Sequence, residues 1–242
     1  MTRHNPDLNP DPDLNPDLDL DLNPSLTPDL NPGLNPDLLA EIARHPGSVL
    51  AGSLYAVAET DRLAAAERLH RAGLWIHADL IVDDGTHRGV SLSLVRTLAE
   101  RRIGPLDIHL IAPELDGLID EVCAEKADRV TFPYESCPDH AAVADTAEQI
   151  RASGAHAWLA VAPTTELGAV RPCFDMVDGL LVMLIEPGST DAADPALAAR
   201  AGQTRHALPV GVDGGVDAGN LGTCLRAGAR YAVSGRALLR AT

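Results

Sequence analysis

Residues 75–80 read Trp-Ile-His-Ala-Asp-Leu, residues 106–111 read Leu-Asp-Ile-His-Leu-Ile, and between them residues 91–102 read Ser-Leu-Ser-Leu-Val-Arg-Thr-Leu-Ala-Glu-Arg-Arg. The two outer runs are mostly apolar, as strands buried on both faces must be. The middle stretch repeats its apolar residues at helical spacing. A strand, a helix and a second strand of this kind form a right-handed parallel crossover.

The same alternation continues through the chain from about residue 47. Apolar runs fall at 49–54, 75–80, 106–111, 129–132, 157–161, 179–185, 209–212 and 231–234. Helix-like stretches lie at 61–72, 91–102, 115–126, 140–153, 195–206 and 220–227, with only a short one near 166–171. Eight such units in roughly 200 residues predict an α/β protein whose sheet closes on itself, a (β/α)₈ TIM barrel spanning residues 47–242. A doubly wound open sheet is the alternative, weakened by the lack of a Gly-x-Gly-x-x-Gly after the first run. The few residues after the eighth run predict a truncated last helix.

Residues 1–40 read differently. Asn-Pro-Asp-Leu recurs with small variations, with eight prolines from Pro6 to Pro36 and eight aspartates against Arg3. Proline removes backbone donors and the aspartates repel one another, so a disordered acidic extension without chemistry of its own is expected.

Composition narrows the function. Hydrophobic residues make up 45% of the chain and aromatic ones only 3%, so Ala, Val, Leu and Ile are expected to fill the interior. A net charge of −16 without clustered Lys or Arg excludes a surface that tracks nucleic acid. No apolar run reaches the length of a membrane span and no secretory leader precedes the repeat, so a cytoplasmic protein is expected. Cys123, Cys137, Cys173 and Cys224 form no CxxC pair and are expected to stay reduced. The sequence leaves open whether the protein forms a homo-oligomer.

In a barrel of this type chemistry sits at the carboxyl ends of the strands. Polar residues late in the apolar runs are therefore the ones to question. His77 and Asp79 share one face of the second run, His109 lies in the third, and Asp213 ends the seventh in Gly-Val-Asp-Gly-Gly. A single histidine in a strand is usually a hydrogen-bonded core residue. Two imidazoles and two carboxylates converging at one mouth are costly to bury unless they bind something charged. Such a set suits one divalent ion, Zn²⁺, Fe²⁺ or Mn²⁺, with positions left for substrate oxygens. Lys126, the sole lysine, precedes a strand instead of following one, so a Schiff-base mechanism is excluded.

From Ser48 to Leu239 the chain resembles the ribulose-phosphate 3-epimerase family. Ser53-Leu54 partly matches the end of that family's first strand. His77, Asp79 and Asp84-Gly85 match the second, and His109-Leu110-Ile111 the third. Val130-Thr131-Phe132, Pro163-Thr164-Thr165, Pro187-Gly188, Val212–Gly215 and Ala227–Ala229 follow in the family's order. The resemblance implies a cytoplasmic metal-dependent isomerase that inverts C3 of a ketose phosphate, D-ribulose 5-phosphate and D-xylulose 5-phosphate or a related sugar phosphate. It implies that His77, Asp79, His109 and Asp213 hold the metal and that Asp79 and Asp213 exchange protons with the substrate. It also implies that Ser53, Gly188, Gly214, Gly215 and Gly235 bind substrate or its phosphate, with Arg236 placed to join them. Three departures stand out: Ile81 and Ile111 replace methionines, Thr86–Gly89 replaces a Pro-Asn segment, and Ser189-Thr190-Asp191 replaces a glycine-rich stretch. The alternative they raise is a sugar-phosphate-binding paralogue that lacks turnover or has altered specificity.

Overall fold

The computed structural model describes residues 31–83, 86–186, 193–204 and 208–239. Strands are β1 (Val49–Ser53), β2 (Trp75–Asp83), β3 (Thr86–Gly89), β4 (Leu106–Ile111), β5 (Arg129–Pro133), β6 (His156–Val161), β7 (Gly179–Met183), β8 (Val210–Asp213) and β9 (Tyr231–Ser234). Helices are α1 (Pro36–Ala43), α2 (Arg62–Arg71), α3 (Leu92–Glu100), α4 (Leu118–Cys123), α5 (His140–Ala152), α6 (Leu167–Val170), α7 (Pro195–Thr204) and α8 (Leu221–Ala227). Eight strands run parallel in the order β1-β2-β4-β5-β6-β7-β8-β9, and β9 pairs back on β1 to close the ring. The fold is the expected (β/α)₈ barrel, down to the four-residue α6 after the fifth barrel strand. Side-chain caps mark several helix starts: Ser91 accepts from the Leu94 amide and Asp139 from the Ala142 amide.

Pleating sorts the strand residues into two cores. Ile76, Ala78, Leu80, Ile108, Leu110, Val130 and Phe132 point outwards and join an aliphatic layer under the helices. Ala51, Trp75, Trp158, Ala160, Leu181, Met183, Tyr231 and Val233 point inwards and fill the ring. The interior is mainly Ala, Val, Leu and Ile, as expected, and the barrel's own centre adds both tryptophans of the chain. Gly179 and Gly211 make the room: a Cβ on Gly179 would lie 2.6 Å from Cζ2 of Trp158, and one on Gly211 2.8 Å from Cδ1 of Tyr231.

The expected disordered extension over 1–40 needs correction at its end, and its first thirty residues lie outside the described residues. Asn35 caps α1 by accepting from the Asp37 amide at 3.0 Å, and Pro36 takes the first turn, where no backbone donor is needed. The same Asn-Pro pair that argues against a helix interior thus starts a helix. Leu38, Leu39 and Ile42 then bury one stripe. Leu34 bridges to Leu239, and the Asn35 backbone amide donates to the Leu238 carbonyl at 3.0 Å. With α1 packed on α8 and Gly33 against Arg68 of α2, this segment stands between the last and first helices of the ring. The described residues beyond β9 form a turn and no helix, as expected, and α1 covers that gap.

Among the described residues no helix is long and apolar enough to cross a membrane. All four cysteines are free. Replacing Leu38 by Ala leaves a cavity beneath α1 and is expected to cost about 2–5 kcal/mol in urea unfolding. A cost below about 1 kcal/mol would show that α1 is not part of the core.

Candidate active site

β2 carries Trp75, His77 and Asp79 on its inner face, and β4 carries Asp107 and His109 on its own. The register sets Asp79 beside His109. Across the ring, Asp213 ends β8 next to Met183 of β7. Nε2 of His77 lies 3.2 Å from Oδ1 of Asp79, 3.3 Å from Nδ1 of His109 and 3.7 Å from Oδ2 of Asp213. Nδ1 of His109 is 3.2 Å from Oδ1 of Asp79 and 3.6 Å from Oδ2 of Asp213. One donor atom from each of the four residues falls within 4.8 Å of the others. The structure thus brings together the whole set read from the sequence.

Local structure fixes Asp79. The segment Thr86–Gly89, which interrupts the resemblance, folds back as β3 and pairs antiparallel with the end of β2. The Val90 amide then donates to the Asp79 carbonyl at 2.8 Å. Gly89 lies at φ 84°, in the left-handed region, and any Cβ there would collide with that carbonyl. From β1, the Ser53 hydroxyl donates to Oδ2 of Asp79 at 2.6 Å. Ser53 was expected to contact substrate or phosphate; it lines the cleft, and its bonded partner is Asp79.

Burial and crowding push the titratable groups apart. Burial alone lowers His77, but the charge of Asp79 and hydrogen bonds to Asp107 and Asp79 outweigh it and hold His77 well above its usual range. Burial would raise Asp79, yet His77 and His109 hold its carboxyl below the ordinary value. Asp213 goes the other way, raised by burial and by the negative charge of Asp79, against the pull of His77, His109 and the Gly214 amide. Two carboxylates in one site therefore sit in opposite environments.

A cleft of about 560 Å³ opens over the cluster and is lined by Ser53, Asp79, Asp213, Gly214, Gly215, Gly235 and the exposed Arg236. Ile81 and Ile111, in place of methionines, line it together with Met183. Gly188 and Asp84-Gly85 lie outside the described residues. A neighbouring cleft of about 670 Å³ shares Tyr55, Ile81, Ile111 and Met183 with the first and reaches Arg88 and Glu135.

Sequence reading passed over Asp107, Arg129 and Tyr231. Asp107 is fully buried and its carboxylate meets His77, Thr131 and Tyr231. Its signal was its place two residues before His109, on the same face of one strand. Arg129 stands in the same relation to Thr131.

A closed parallel barrel with a His₂Asp₂ cluster at the carboxyl ends of its strands defines a class of enzyme that handles small molecules at the barrel mouth. The family profile described as "Ribulose-phosphate 3 epimerase family" matches residues 49–239, and the chain belongs to that family. It is similar to ribulose-phosphate 3-epimerase of Treponema pallidum, 28% identical over 181 residues that cover 69% of this chain and 80% of the relative. It is also similar to ribulose-phosphate 3-epimerase of Mycobacterium leprae, 28% identical over 203 residues, 79% of this chain and 88% of the relative. Among solved structures, a mutant tryptophan synthase alpha-subunit from Pyrococcus furiosus superposes with a TM-score of 0.59 at 14% identity, covering 79% of this chain and 88% of that one. That likeness is one of fold. The family makes this chain a ribulose-phosphate 3-epimerase-like isomerase, of the racemase and epimerase kind that acts on carbohydrates.

In metal-free protein, His77 with its raised value contributes stability that is complete below 6.5 and lost as the pH rises through the folded value. Asp107, held down to about 2 from 3.8, contributes stability that is complete above 3.8 and lost as the pH falls towards 2. Urea midpoints are therefore expected to decline above pH 6.5 and below pH 3.8. A midpoint that climbs steadily on the alkaline side contradicts this distribution of charge.

Proposed function

We propose that this chain inverts C3 of a ketose phosphate, D-ribulose 5-phosphate and D-xylulose 5-phosphate or a related sugar phosphate, by proton transfer between Asp79 and Asp213. The observation that carries the reading is the pair of carboxylates at the mouth of one cleft, from strands three steps apart around the ring, with two imidazoles between them. The donor set fits one divalent ion: two carboxylates balance its charge, and two imidazoles suit Zn²⁺, Fe²⁺ or Mn²⁺. His77, Asp79, His109 and Asp213 would hold it. When bound, such an ion supplies Lewis-acid polarisation of the ketone and positive charge beside the developing enediolate.

The side chains do the rest. Asp79, kept ionised by His77 and His109 and steadied by Ser53, takes the proton from carbon and leaves the electron pair as an enediolate. Asp213, from the strand across the ring, returns a proton to the same carbon from the opposite face. The reverse reaction exchanges the two roles. Burial of the cluster keeps water from competing for the carbanion. Gly214, Gly215 and Gly235 bring backbone to the cleft after β8 and β9, where barrels commonly take phosphate, and Arg236 adds a charge there.

Purified protein incubated with D-ribulose 5-phosphate in D₂O, with each metal in turn, is expected to incorporate deuterium at C3 and form the epimer. No exchange with any pentulose or hexulose phosphate under any metal would exclude the reaction. Asp79→Asn and Asp213→Asn are each expected to lower turnover by roughly 10²–10⁴-fold with the urea midpoint little changed. Arg236→Ala is expected to raise KM by about tenfold and to leave kcat nearly intact, the signature of a contact to the unreacting phosphate.

A further inference from the structure

On the side of His77 away from the cleft lies a column of polar groups deep in the barrel. Asp107 has no solvent exposure. Its Oδ1 accepts from the Thr131 hydroxyl at 2.9 Å, and its Oδ2 accepts from the Tyr231 hydroxyl at 2.8 Å. Oδ2 also faces Nδ1 of His77 at 3.0 Å. A carboxylate only accepts, so the ring nitrogen facing it must carry a proton. Nε2 faces the carboxylates of Asp79 and Asp213 beside His109, so with Nδ1 keeping its proton, Nε2 is the nitrogen whose proton a cation would replace and whose lone pair it would take.

Below Asp107 lies Arg129, 3% exposed, with its guanidinium carbon 4.2 Å from the ring centre of Trp75, 3.8 Å from that of Trp158 and 4.3 Å from that of Tyr231. Nη1 of Arg129 is 3.7 Å from Oδ2 of Asp107, and neither Nε nor Nη1 finds a hydrogen-bond partner among the described residues. A guanidinium placed for forks and bidentate bonds is here used as a bare charge within an aromatic box. Its counter-charge is Asp107. An unpaired carboxylate at this depth would be expensive, and the caged cation offsets that cost.

We propose that Asp107 is a positioning residue for the cluster above it: held by Thr131 and Tyr231 and faced by caged Arg129, it fixes the His77 proton on Nδ1 and presents Nε2 to a metal ion. This rests on the metal-centre reading given above and adds to it the tautomer and its cause. Asparagine at this position can turn its amide donors towards Nδ1, which moves the ring proton to Nε2 and removes the ligand atom. Phenylalanine at position 231 keeps the ring in the box and deletes only the hydroxyl that orients the carboxylate.

The test uses the full chain. Co²⁺ affinity is measured by competition with a chelator, and the ring N–H resonances of ¹⁵N-histidine-labelled, Zn²⁺-loaded protein report which nitrogen of His77 is protonated. Wild-type protein is expected to show a slowly exchanging Nδ1 proton. Asp107→Asn is expected to weaken Co²⁺ binding by roughly 10- to 100-fold and to lose that resonance. Tyr231→Phe and Arg129→Met shift the affinity in the same direction by less, and Tyr231→Phe decides the matter if Asp107→Asn does not fold. A His77 proton on Nε2 in the wild type, or Asp107→Asn and Tyr231→Phe proteins that bind Co²⁺ as tightly as wild type, would overturn the inference alone. Wild-type protein that binds no divalent ion overturns the metal-centre reading and this inference with it.

Discussion

Closure of eight parallel strands into one ring leaves every strand residue only two places to go, and the structure depends on that division. Residues of one parity meet the helices; those of the other meet one another inside the ring or at its mouth. His77, Asp79, Asp107, His109, Arg129 and Thr131 share the inner parity, so three adjacent strands stack their polar groups instead of scattering them. Each layer rests on the one below: aromatic rings hold a guanidinium, the guanidinium faces a carboxylate, and the carboxylate orients an imidazole that opens on the cleft. A one-residue slip of β4 would send Asp107 and His109 into the aliphatic layer, where neither charge has a partner.

Charge in this column alternates in sign towards the mouth, which is how so many ionisable groups share a barrel interior. The pairing is closest where exposure is least: Asp107, without solvent contact, has three hydrogen-bonding neighbours and a cation behind it. Nearer the cleft the balance is incomplete, and Asp213 is raised by burial and by the charge of Asp79, which His77 and His109 only partly offset. That residual negative charge at the mouth is the electrostatic condition for taking up a cation.

The barrel was legible because its signals are local. Apolar runs at 106–111 and 231–234 coincide with β4 and β9, since strands buried on both faces admit few polar residues. The four-residue cluster was legible too, because charged residues late in such runs have no cheap alternative. What the sequence hid depended on distant partners. Asp107 and Arg129 read as ordinary interruptions until the ring brings Trp75, Trp158 and Tyr231 around them. The strand at Thr86–Gly89 carries mostly exposed residues and lacks an apolar pattern, so only its pairing to β2 reveals it. The helix at Pro36–Ala43 was masked by the proline repeat that runs into it, and its buried stripe has meaning only against α8.

The position of α1 ties the order of synthesis to the order of folding. Leu34 and Asn35 are made about 200 residues before their partners Ala237, Leu238 and Leu239. Until those partners emerge, the apolar stripe of α1 has no permanent neighbour, and β1 lacks the strand that completes the ring on that side. A growing chain therefore carries α1 without this partner segment until translation delivers the seam it closes.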